Sequence, residues 1–152
     1  MDGTTTRQVD RAAPARPALT IALLTSLAVV ALLTLTPEGQ GWAWGSPLTE
    51  ARWYLTGLDS TATMLQLTGN LSLLAVPAAL AVLSRPALGR PHALVAVSFA
   101  VSAGIELAQW ALPLGRVVSP LDAVLNATGA IAAGLLTAYV LRQSRAIPAR
   151  TT

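Results

Sequence analysis

Apolar residues along this chain do not alternate with polar ones. They fall into four long runs, at residues 18–36, 62–83, 93–112 and 121–141, parted by short segments rich in proline, glycine and arginine. A run of about 20 apolar residues, wound as a helix rising about 1.5 Å per residue, crosses the roughly 30 Å hydrocarbon layer of a bilayer. Barrel strands would alternate lipid-facing and lumen-facing residues, which these runs do not, so helices are the spanning form. The pattern predicts an all-α polytopic membrane protein built as a four-helix transmembrane bundle. The longest connection, residues 37–61, contains SPLTEARWYLTGL. There Ser46 and Pro47 make a helix start, and Leu48, Ala51, Leu55 and Leu58 recur at helical spacing. Together with Trp42, Trp44, Trp53 and Tyr54 this predicts a short interfacial helix in the outer headgroup region, serving as an anchor or as a lid over lipid.

Composition agrees with this picture and divides the chain. The 152 residues are 53% hydrophobic and 11% charged, and the mean hydropathy is +0.58, values of the membrane class. Residues 1–17 read as a disordered cytoplasmic N-terminus, 18–141 as a single four-span membrane domain and 142–152 as a cytoplasmic tail. The first run is longer than a signal-peptide core and lacks a convincing cleavage site before Pro37, so it reads as an uncleaved span.

Charge then sets the orientation. All ten basic residues are arginines. Arg7, Arg11, Arg16, Arg85, Arg90, Arg142, Arg145 and Arg150 fall on one side of the four crossings, and only Arg52 and Arg116 on the other. Basic residues in short loops stay on the cytoplasmic side, so both termini are expected in the cytoplasm. The basic character therefore reports topology. It does not report nucleic-acid binding, which would want a soluble basic face with stacking aromatics. With no cysteine and a single histidine, His92, in a cytoplasmic loop, a disulfide framework, a thiol nucleophile and a zinc cluster are excluded. No nucleotide-binding motif is present, and neither a metal nor another cofactor is expected.

Against this background the stretch GIELAQWALPLGRVVSPLDAVLNATG, residues 104–129, is unusually polar. Counting about 1.5 Å per residue from the outer end of each run, Glu106 lies roughly 9 Å deep, Gln109 roughly 5 Å, Asn126 roughly 7 Å, and Gln66 and Asn70 roughly 6 and 12 Å. Arg116 and Asp122 sit at the boundary. Glu106 and Gln109 share a helix face, as do Asp122 and Asn126, and Gln66 and Asn70. A carboxylate facing lipid would cost about 2.5–3.5 kcal/mol, so these stripes should face one another around a polar pocket that opens outward. Glu106, at the negative end of its helix, needs a proton or a cation, and Arg116 is the nearest permanent cation in sequence. The candidate ligand-binding residues are thus Gln66, Asn70, Glu106, Gln109, Arg116, Asp122 and Asn126, with Glu106 the candidate catalytic acid or base. Structural roles compete with this reading. Ser119, Pro120 and Asp122 form a helix start, the asparagines can bond between helices, and Gly104, Gly129 and Ala133 can allow close packing.

The motifs IELAQ at residues 105–109, Gly115 with Arg116, the D-x-x-x-N-x-x-G run from Asp122 to Gly129, TLTP at residues 34–37 and Gly69 with Asn70 resemble the VanZ-like family of small bacterial membrane proteins. One departure is LSLLAVP after Asn70, where the family often carries an aromatic and a glycine around its proline. The resemblance implies a multi-pass protein of the bacterial cell membrane, associated with the cell envelope and with lowered sensitivity to teicoplanin. The expected function is binding, at the outer pocket, of a lipid-linked wall precursor or an anionic lipid, with Arg116 as anion contact. Two alternatives stand beside it: a small intramembrane enzyme acting on a polyprenyl-phosphate-type lipid, and a proton-coupled carrier. Membrane lipids are the expected partners in each case.

Overall fold

In the computed structural model residues 15–146 are described. Six α-helices and two short strands follow in the order α1 (Ala15–Leu35), β1 (Trp42–Trp44), α2 (Pro47–Thr56), α3 (Thr61–Leu73), α4 (Ala75–Ser84), α5 (Pro91–Ala111), β2 (Arg116–Val118) and α6 (Pro120–Ala146). Four helical stretches are long and apolar enough to cross a membrane: α1, α3 continued by α4, α5, and α6. The chain is a multi-pass membrane protein. The helices α1 and α6 extend past the expected limits, by three residues at the start of α1 and five at the end of α6. The rest of the two ends expected to be disordered, residues 1–14 and 147–152, lies outside the described residues.

Helix boundaries follow local chemistry. The first span stops just before Pro37, and α5 gives way at Leu112, whose helical conformation is disfavoured by the ring of Pro113. Ser119 precedes Pro120 at the start of α6, and its hydroxyl accepts a hydrogen bond from the Asp122 amide at 3.1 Å, an N-cap of the kind the sequence predicts. The second span, expected as one helix, breaks at Leu74. Pro77 has no N–H to give the Leu73 carbonyl, and bonding resumes with the Ala78 amide on the Leu74 carbonyl at 3.0 Å.

Packing is centred on α6, which meets α3, α4 and α5, while α1 leans on α4 and α5 and stands off from α3. The helices α6 and α3 approach closely: a Cβ on Gly129 would lie 1.7 Å from the Leu71 carbonyl oxygen. The bundle interior is small, formed by Val30, Leu74 and Ala130 in one cluster and Val82, Leu94 and Ala138 in another. Large apolar side chains such as Leu24, Leu32, Leu65, Leu107 and Leu136 point outward, as lipid-facing positions require.

At one end of the bundle β1 and β2 pair in parallel, Trp42 opposite Arg116 and Trp44 opposite Val118. No periodicity in either tripeptide announces this ribbon. It is clamped by glycine: Gly115 has a φ of +70°, and a Cβ there would fall 2.3 Å from the Gly39 backbone nitrogen. The ribbon and α2 close this end, and the short turn Pro86–Gly89 closes the other.

Candidate functional site

Below the ribbon, in the gap where α1 stands off from α3, lies a cavity of about 870 Å³. The residues singled out in the sequence meet here: Gln66, Asn70, Glu106, Gln109, Arg116, Asp122 and Asn126 all line it. So do two acids the sequence reading passed over, Glu38 and Glu50. Four of the five acidic residues in the described chain therefore surround one space. Toward the bundle middle the lining turns apolar, with Val29 and Val30 of α1 facing Leu73, Val76 and Pro77.

Ser119 organises the acids. Its backbone amide donates to Glu106 Oε2 at 2.8 Å, its hydroxyl donates to Glu50 Oε2, and the same hydroxyl caps the Asp122 amide. Three carboxylate-bearing residues from three helices are tied to one buried residue, which is only 1% exposed. Tyr54 completes the arrangement by donating its hydroxyl to Asp122 Oδ1 at 3.2 Å. Its phenol is pushed up to about 12, first by burial and then by the neighbouring Asp122 charge, with Glu50 adding to the effect.

Other polar groups divide between structural and open roles. Gln109 Nε2 donates to the Thr34 carbonyl at 2.9 Å, tying α5 to α1. Gln66 lines the cavity from α3, one turn before Asn70. Asn126 is 2% exposed, yet its Oδ1 has no partner, and Asn70 Nδ2 is likewise buried and unpaired. Such orphans each cost about 1–3 kcal/mol, and both of these belong to residues that line the cavity.

Two expectations need correcting. Arg116 does not pair with Glu106. Strand β2 carries it beside the end of α1, where its guanidinium donates from Nε to the Thr36 carbonyl at 3.1 Å and from Nη2 to the Leu33 carbonyl at 3.0 Å, and meets Glu38 at 3.0 Å. The last carbonyls of a helix are unsatisfied and carry partial negative charge, which explains why they attract it. The second correction concerns α2. The expected helix is present, but Tyr54 does not rest among headgroups: it is 7% exposed and turned into the site, while Leu48 and Leu55 are 85% and 78% exposed. A signal for this was available, since Glu50 and Tyr54 are four residues apart on the face opposite those leucines.

The carboxylates do not form a metal-ligand set: among the described residues no three acidic or histidine side chains converge closely enough to hold an ion. Comparison with known proteins gives one match, a model of the VanZ/LLP1 family over residues 21–142. No curated protein and no solved structure matches the chain.

Proposed function

The chain is a membrane protein of the VanZ/LLP1 family, and from that premise we propose that it is a binding protein of the cell envelope whose cavity holds the polar head of a membrane lipid. The observation that carries this reading is the cavity itself, about 870 Å³ with four carboxylates and the nearly buried Asn126 on a polar wall that turns apolar with depth. That sequence of surfaces suits an amphiphile, with its head among the carboxylates and its chain along α1 and α4.

The cavity end faces outward in this proposal, because Arg85, Arg90, Arg142 and Arg145 gather at the opposite end of the bundle and mark the cytoplasmic side. A lipid-linked wall precursor fits the site through the hydroxyls and amides of its head. Arg116 is engaged by α1 and Glu38, so a phosphate would have to displace those partners to be held by it. Holding such a precursor at the outer surface would lower the amount open to glycopeptide antibiotics, which connects the site to teicoplanin sensitivity. The transferase and carrier readings rest on the same carboxylates, and neither has an observation of its own.

The test is lipid retention. Purified chain should carry a lipid through a delipidating wash, identified by native mass spectrometry. Asn126→Leu, which removes the orphan oxygen, should lose that lipid while melting at the same temperature or higher, because an unsatisfied buried acceptor costs about 1–3 kcal/mol. A wild-type chain that retains no lipid, or an Asn126→Leu chain that retains it equally, rejects the reading.

A further inference from the structure

The polar wall is one-sided in its chemistry. Glu38, Glu50, Glu106 and Asp122 supply four carboxylates, and among the described residues the only permanent cation on the lining, Arg116, is already paired with Glu38 and with backbone carbonyls. The bonds through Ser119 and Tyr54 fix Glu50, Glu106 and Asp122 each by one oxygen. The wall therefore offers acceptors and negative charge in excess of donors, which an anionic head would meet with repulsion and a donor-bearing cation with several short bonds.

Resting on the head-group reading above, we propose that the cavity is selective for an amphiphile whose polar end carries a primary ammonium, seated among Glu50, Glu106 and Asp122. A primary ammonium has three N–H donors and a compact charge, which suits acceptors that α2, α5 and α6 present to one cavity without meeting at a point. A metal cation is disfavoured by the spacing of the same carboxylates. The apolar flank formed by Val29, Val30, Leu73 and Val76 takes the chain of the amphiphile, and the separation of α1 from α3 lets it arrive sideways from the bilayer.

The ammonium can come from an aminophospholipid or from an amino-sugar glycolipid, and the experiment separates them. Full-length chain in detergent is titrated with phosphatidylethanolamine, phosphatidylglycerol, glucosaminyl diacylglycerol and the N-acetylated form of that glycolipid, all with the same acyl chains, and occupancy is read by native mass spectrometry. At least one amine-bearing lipid should bind about tenfold or more tightly than its amine-free counterpart, in keeping with a charge-assisted bond in a partly buried site. Tighter binding of phosphatidylethanolamine assigns the amine to a phospholipid, and tighter binding of the glucosaminyl lipid assigns it to a sugar. Glu50→Gln, which keeps an acceptor for Ser119 but removes a charge, should cut the preference severalfold, by weakening the amine lipid and easing the repulsion of phosphatidylglycerol. The comparison among lipids on the unaltered chain decides the matter even if the variant is unstable. Equal binding of each amine lipid and its counterpart overturns the amine proposal and leaves the head-group reading standing. Absence of saturable binding by any of the four overturns both.

Discussion

Replacing Gly129 by alanine should weaken the bundle where its site is assembled. An added Cβ would lie 1.7 Å from the carbonyl oxygen, 2.6 Å from the carbonyl carbon and 3.1 Å from the Cα of Leu71. These are backbone atoms of α3, so no side chain can turn aside, and restoring an ordinary carbon–oxygen contact of about 3.2 Å requires α3 and α6 to separate by roughly 1.5 Å. Overpacking of this kind costs about 1–3 kcal/mol, partly offset by the gain of up to about 1 kcal/mol from replacing a helical glycine by alanine. The same shift would part Gln66 and Asn70 from Asp122 and Asn126, so lipid retention should fall with stability. Gly104→Ala is the matched control, because a Cβ there meets nothing within 4 Å, and it should be neutral or stabilising by up to about 1 kcal/mol. Melting in detergent, followed by the fluorescence of the four tryptophans, measures both. If Gly129→Ala melts at or above wild type, or if the two variants lose equal stability, the close approach of α3 and α6 is not what holds this interface.

Two further outcomes follow from the hydrogen bonds. In double-mutant cycles on stability, Glu106→Gln and Arg116→Gln should be additive to within about 0.5 kcal/mol, whereas Glu38→Gln and Arg116→Gln should couple by about 0.2–1 kcal/mol, as suits a partly exposed ion pair; coupling of the first pair instead would contradict the observed pairing. The raised Tyr54 pKa means that the fold favours the neutral phenol, so its contribution is complete below the ordinary tyrosine value near 10 and is lost as pH rises from there through about 12. The chain has no lysine, so Tyr54→Phe should remove much of the stability loss across that interval in an alkaline melting series, and an unchanged slope would show that Tyr54 is not the group responsible.

The spans were legible because lipid imposes one rule on every exposed residue, and four apolar runs of bundle length satisfy it. The polar layer was legible for the complementary reason: a carboxylate or carboxamide within a span must face inward, so Gln66, Asn70, Glu106, Gln109 and Asn126 could be assigned to one space from depth and face alone. What escaped lay outside the spans, where that rule does not hold. The three-residue strands have no periodicity to read, and their pairing across more than seventy residues redirected Arg116 from Glu106 to the end of α1. In α2 the aromatic and apolar residues suggested a helix resting among headgroups, but which face turns inward was decided by Asp122 and Ser119 on α6, contacts distant in sequence. Local pattern gave the helix and tertiary contact chose its face.

The central claim, that lipid occupies the space between α1 and α3, is tested most directly by photo-crosslinking from inside it. Val30 lines the cavity but is only 7% exposed, whereas Leu24, less than two turns away on α1, is 60% exposed and does not line it. A diazirine analogue of leucine placed at each position in turn, irradiated in native membrane and analysed by mass spectrometry of the adducts, separates cavity lipid from the surrounding bilayer. The account predicts that position 30 yields adducts of one lipid class, and that position 24 yields the mixture present in the membrane. Adducts at position 30 that are confined to protein, or that reproduce the bilayer mixture, would contradict it.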